Sequence, residues 1–139
     1  MNEIIPEYIT QEGVQEIYNK KSYSNQHDCR KDTYYLSKYL ILLTYNIYNA
    51  KKEFNRINIE YRKLLGKHFE EVTGENVYEK ESILFIKHVE ISEKYKQVSE
   101  AEEEINTYRK IYFTVQQLIK SIENLSWNLK GDNHADSTR

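Results

Sequence analysis

Residues 36–69 read "LSKYLILLTYNIYNAKKEFNRINIEYRKLLGKHF". In this stretch Leu36, Leu40, Leu43, Ile47, Ala50, Phe54, Ile57, Tyr61, Leu64 and His68 follow one another at alternating spacings of four and three. Side chains three and four apart share one face of an α-helix, so this spacing is a heptad seam. It predicts a helix from about Asp32 to about Phe69, about 55 Å long at a rise of about 1.5 Å per residue. A helix of that length needs a long partner, from the same chain or from a second copy.

The rest of the chain agrees with helices. It has 139 residues, a natural size for one domain, with one proline and four glycines to interrupt regular structure. A second seam runs through Ala101, Ile105, Tyr108, Tyr112, Val115, Ile119, Ile122 and Leu129, with Ser126 in the gap of the last repeat. Ser99 and Glu102 form an S-x-x-E capping box ahead of it, and Glu100, Glu102, Glu103 and Glu104 suit the positive end of a helix dipole. A second long helix is therefore expected from Ser99. Between the two, "TGENVYEK" at 73–80 carries Gly74 as a helix terminator. The Ile83, Phe85, Val89 and Ile91 pattern that follows fits a strand or a short helix equally. At the other end, Thr10 is an N-cap candidate for a short helix bearing Val14, Ile17 and Tyr18, weakened by Gly13. Residues 21–31 read as a polar connector.

The predicted fold is all-α: two long heptad-patterned helices with shorter helical elements. Its parts are an N-terminal segment at 1–31 with a short helix, a helical core at 32–130, and a polar tail at 131–139 expected to be disordered. On the second helix Ile111, Leu118 and Leu125 recur at seven beside the seam, and Trp127 adds a large ring. One partner helix covers one seam, so Ile111, Val115, Leu118, Ile122, Leu125 and Trp127 are the candidate surface for homo-oligomerisation. Residues 4–18 of the same chain are the alternative cover.

Charge is local rather than global. The formal net charge is −2, so nothing draws the whole molecule to nucleic acid or membrane. The basic residues Lys51, Lys52, Arg56, Arg62, Lys63 and Lys67 gather on the first helix against Glu53 and Glu60. At 100° per residue, Lys52, Arg56, Lys63 and Lys67 fall within an arc of about 60°, away from the seam, and Tyr45 joins them. A cationic row with an aromatic near it is the footprint of a phosphate backbone with a stacking residue to hand. A solvated helix face is the plainer reading of the same residues. The acids Glu90, Glu93, Glu100, Glu102, Glu103 and Glu104 form a separate segment. Thirteen tyrosines suit stacking or packing, and a biased codon pool would produce them as well.

Other chemistry finds little foothold. The one cysteine, Cys29, excludes an internal disulfide, and Cys29 with His27 does not make a zinc site; His68, His88 and His134 share no ligand spacing. No metal or cofactor is expected. The "GK" at Gly66–Lys67 lacks the earlier glycine of a P-loop, and there is no nucleophile elbow, so no enzymatic activity is expected. Without a secretory h-region or an apolar run of membrane-spanning length, the expected location is the cytoplasm, that of the host if the chain is phage-encoded, with no membrane partner.

The segments "SKYL" (Ser37–Leu40), "KKEFNRI" (Lys51–Ile57), "EEVTGENVYE" and "LIKSIENLSWNLK" (Leu118–Lys130) together resemble the UvsY-type recombination mediators of tailed phages, over roughly residues 36–130. That resemblance implies an oligomeric ring on single-stranded DNA. It also implies contacts with the phage single-strand-binding protein and with the recombinase that displaces it. The family's Leu-Lys-Ala-Arg-Leu stretch corresponds to Leu65-Gly66-Lys67-His68-Phe69, with Gly66 at the Lys position and His68 at the Arg position. The candidate DNA-binding residues are accordingly the wider set Tyr45, Lys52, Arg56, Lys63, Lys67 and His68. The competing expectation is a coiled-coil structural or adaptor protein that never meets nucleic acid.

Overall fold

A computed structural model describes residues 9–137, with side chains described as far as Leu129; residues 1–8 of the N-terminal segment and 138–139 of the expected tail lie outside it. All regular structure among the described residues is helical: α1 (Gln11–Tyr18), α2 (Gln26–His68), α3 (Val77–Lys87) and α4 (Val89–Ser137), with a 3₁₀ turn at Phe69–Glu71. The chain divides into two compact units, Met1–Asn46 with Arg109–Arg139, and Ile47–Tyr108, and α2 and α4 contribute to both.

In the first unit, Thr10 caps α1 as its sequence suggests, its Oγ1 accepting from the Gly13 amide at 3.0 Å. The Tyr35 hydroxyl accepts from the Thr10 amide at 2.9 Å. A Cβ on Gly13 would come within 2.1 Å of that hydroxyl. The glycine that weakens α1 as a helix is thus what lets the helix lie against Tyr35.

The start of α2 departs from expectation. It begins at Gln26 rather than near Asp32, so the connector is shorter and the boundary drawn at residue 31 falls inside a helix. Asn25 and Asp28 form the cap: Asn25 Oδ1 accepts from the Asp28 amide at 2.9 Å, and Asn25 Nδ2 donates to Asp28 Oδ2 at 3.3 Å. The buried stripe Leu36, Tyr39 and Leu43 extends upstream through Cys29 and Asp32. A thiol and a carboxylate do not register as apolar, which hid this turn. Asp32 is buried because it is satisfied, accepting from Lys20 Nζ and the Tyr23 hydroxyl, each at 2.7 Å. Gln26 Nε2 donates to the Ser126 carbonyl at 3.1 Å, and thirteen residues on Tyr39 lines one cleft with Ile111, Val115 and Leu118, so here α2 and α4 run antiparallel.

In the second unit, Ile57, Tyr61 and Leu65 of α2 pack with Leu84 of α3 and Ile91, Val98 and Ala101 of α4; Phe54, Leu64, Phe69, Val72 and Phe85 fill the rim. The rings of Phe85, Tyr61 and Tyr95 meet edge-on or tilted, with centroids 4.8–6.3 Å apart. The segment 82–91, which fits a strand or a short helix equally in sequence, is helical apart from His88. Asn76 caps α3 by accepting from the Glu79 amide at 3.0 Å. Gly74 packs against that first turn, where a Cβ would stand 3.1 Å from the Glu79 Cβ. It does not terminate α2 through a left-handed conformation, since no described residue has a positive φ. The 3₁₀ turn ends α2 instead.

The break between α3 and α4 is the single residue His88, extended at φ −123°, ψ 109°. The second long helix therefore begins at Val89, and the expected start at Ser99 is wrong. Ile91, Val98 and Ile105 recur at seven, so the stripe continues upstream through the presumed capping box. Glu100–Glu104 lie mid-helix, not at a positive helix end. The α4 backbone stays helical through 131–137.

Leu84 is fully buried and Ile86, two residues on, is 87% exposed. Leu84→Ala should lower the unfolding free energy by about 2–5 kcal/mol and Ile86→Ala by under about 0.5 kcal/mol. Urea denaturation followed by circular dichroism measures both.

Candidate functional site

Burial of the Ile57–Tyr61–Leu65 stripe turns the opposite face of α2 in the second unit to solvent. Lys52, Arg56, Lys63 and Lys67 are all exposed there, with Lys51 and Arg62 flanking them. They are not equivalent. Arg56 is gripped by its own helix, donating to the Glu53 carboxylate and, at 2.8 Å, to Glu60 Oε1. These partners push the guanidinium further toward its charged form and pull the Glu53 carboxyl down. Glu60 also accepts from Lys94 Nζ at 3.0 Å, the larger cause of its own lowered carboxyl. In solvent such pairs are weak and exchangeable. They nevertheless lower the net charge of the row's middle, which the sequence alone presents as open.

Lys52 stands over the Tyr48 ring, 5.3 Å from its centroid. Tyr48 is 59% exposed and precedes Lys52 by four, so it continues the same row. The sequence reading places Tyr45 beside the row instead, although the same i, i+4 rule points to Tyr48. Tyr45 is exposed, in the first unit. The most available cations of the row are Lys63 and Lys67.

His68 does not belong to this face. Its ring is turned away from solvent, with Nδ1 2.6 Å from Glu71 Oε1 and Nε2 3.3 Å from Glu90 Oε1. The same Glu71 meets His88 Nε2 at 2.7 Å through its other oxygen, and Lys87 Nζ lies 3.6 Å away. The two imidazoles stack at 4.0 Å. Hydrogen bonds from His68 and His88 hold the Glu71 carboxyl down at about 2. No ligand spacing marked this cluster in the sequence, because the turn after α2 and the break at His88 bring together residues far apart along the chain. His27 and Cys29 are not part of it.

The candidate oligomerisation residues all lie on α4 in the first unit. Val115 and Ile122 are buried within the protomer. Ile111 and Leu118 are half-buried and line a cleft of about 400 Å³ with Val14 and Tyr18 of α1 and Tyr39 of α2. The short N-terminal helix therefore lies along the extra stripe. Leu125 and Trp127 are exposed, as is Phe113. No described helix is long and apolar enough to cross a membrane.

Comparison of the chain with protein-family models, with curated proteins and with solved structures finds no match.

The unequal exposure of the lysines is directly measurable. Brief acetylation read by mass spectrometry should modify Lys63 and Lys67 well ahead of Lys94, and Glu60→Gln should raise the reactivity of Lys94 while leaving the other two unchanged.

Proposed function

We propose that the protein binds single-stranded DNA along the exposed α2 face of the second unit and performs no chemistry of its own. In this reading it is a recombination mediator, helping a recombinase load onto DNA covered by single-strand-binding protein. The observation that supports binding is the solvent-facing row Tyr48, Lys52, Arg56, Lys63 and Lys67, an aromatic with cations at helical repeats. Phosphates along a flexible strand are met by such cations, and a base is met by the ring. The loading role rests on the resemblance to UvsY-type mediators. Self-association through the apolar residues of α4 that stay exposed in the protomer, Leu125 and Trp127, would repeat the row and convert weak contacts into one multivalent site.

A second reading is favoured by one observation. Glu53 and Glu60 neutralise Arg56 within the face, as an ordinary solvated helix would arrange its charges. The protein would then be a helical structural or adaptor protein with no nucleic-acid partner.

Fluorescence anisotropy of a labelled single-stranded oligonucleotide across a salt series separates the two. Binding should be salt-steep, and Lys63→Glu/Lys67→Glu should weaken it by on the order of tenfold or more and flatten the salt slope by about 1.4. Glu53→Gln/Glu60→Gln, which frees Arg56, should tighten it. Absence of binding at low salt, or binding indifferent to both double variants, rejects the DNA-binding reading; a stable oligomer by light scattering would then favour the adaptor.

A further inference from the structure

We propose that His68, Glu71 and His88 form a binding site for a divalent transition-metal ion, with zinc the best match to the donor set. The inference does not depend on the DNA-binding reading. One ligand atom from each of His68, Glu71 and His88 lies within 4.8 Å of the other two, the one group of this kind among the described residues; His68 Nδ1 and His88 Nε2 are the nitrogens that meet the Glu71 carboxylate, at 2.6 and 2.7 Å. Ligands held at about 2.0–2.2 Å around a tetrahedral zinc sit about 3.3 Å apart. The separations here bracket that value, and small side-chain rotations would reach it.

The hydrogen-bond logic of His68 favours a cation. Both of its ring nitrogens face carboxylates, Nδ1 toward Glu71 and Nε2 toward Glu90, the latter outside hydrogen-bond geometry. A neutral imidazole has one N–H and so can donate to only one of them. The 2.6 Å contact with Glu71 places that proton on Nδ1 and leaves Nε2 without a hydrogen-bond partner; an ion taking the place of the Nδ1 proton lets Nε2 carry the N–H and direct it at Glu90. A carboxylate behind the non-coordinating nitrogen is the usual outer support of a metal-bound histidine. Glu90 is placed to give that support.

The wider surroundings agree. Glu71 and Glu90 bring two carboxylates to the cluster, with Lys87 at 3.6 Å as the nearby ammonium. Two imidazoles and a carboxylate suit zinc, cobalt or nickel and do not suit magnesium or calcium, which take oxygen ligands. The cluster is partly open, which leaves further coordination positions to water. The three ligands come from the end of α2, the 3₁₀ turn and the α3–α4 break. A bound ion would tie these segments together and stabilise the folded state through binding.

The test is calorimetric titration of the chelator-treated full-length chain with zinc chloride at neutral pH, with cobalt(II) absorption as a second readout. One ion per chain is expected. His68→Gln, Glu71→Gln and His88→Gln should each abolish binding while circular dichroism confirms that the chain is folded. Glu90→Gln should weaken binding by about 10- to 100-fold. His27→Gln/His134→Gln, which removes the other two histidines, should bind as the wild type does. For any variant that fails to fold, imidazole nitrogen shifts of His68 and His88 in the wild type on zinc addition decide the matter. The proposal is overturned if the wild type takes up no ion below millimolar zinc, if binding survives loss of both His68 and His88, or if those imidazole shifts do not move.

Discussion

A helix of this kind can bury only one side, and the rest of the structure follows from which side α2 buries. In the second unit Ile57, Tyr61 and Leu65 turn inward against Leu84 and Ile91. The apolar surface removed there is the principal stabilising term available to a chain this rich in charge. Once that stripe is fixed, the 3.6-residue period sends Tyr48, Lys52, Arg56, Lys63 and Lys67 to solvent. The same choice of face carries His68 to the side, toward the turn at Glu71 and the break at His88. An exposed cationic row and a histidine cluster are two consequences of one packing decision.

The electrostatics of the row set how it would act. Arg56 is held within its own helix by Glu53 and Glu60, and Glu60 is shared with Lys94. A phosphate competing for Arg56 must displace those carboxylates, whereas Lys63 and Lys67 carry no such obligation. Recognition on this surface would begin at the Lys63–Lys67 end, with Tyr48 and Lys52 as a second anchor. Its reach along a strand would depend on how many copies act together.

The helical class, part of each buried stripe and the solvent-facing cations are legible from spacing, whereas Tyr39 and Leu65, buried beside the seam, are not, and the seam's Leu40, Ile47, Phe54, Leu64 and His68 are only half-buried. The differences fall where burial does not use apolar residues and where polar residues interrupt an apolar repeat. Cys29 and Asp32 extend α2 by a turn that looks polar, and the Ile91–Val98–Ile105 repeat was cut by a serine and glutamates that imitate a helix start. The histidine cluster could not be read, because its geometry depends on the extended conformation of His88 and on the 3₁₀ turn. Both are local backbone events with no periodic signature. Tyr48 is a different case: the i, i+4 relation to Lys52 was present and was passed over.

Photochemical cross-linking tests whether the outward face of α2 meets single-stranded DNA. Wild-type protein would be irradiated with an oligonucleotide bearing bromodeoxyuridine and the adducts located by mass spectrometry. Adducts at Tyr48, with none in the Tyr48→Leu variant at that peptide, are the predicted result. Adducts confined to peptides outside residues 45–67, or no adduct under conditions where a known single-strand binder is captured, would exclude this face as the DNA contact.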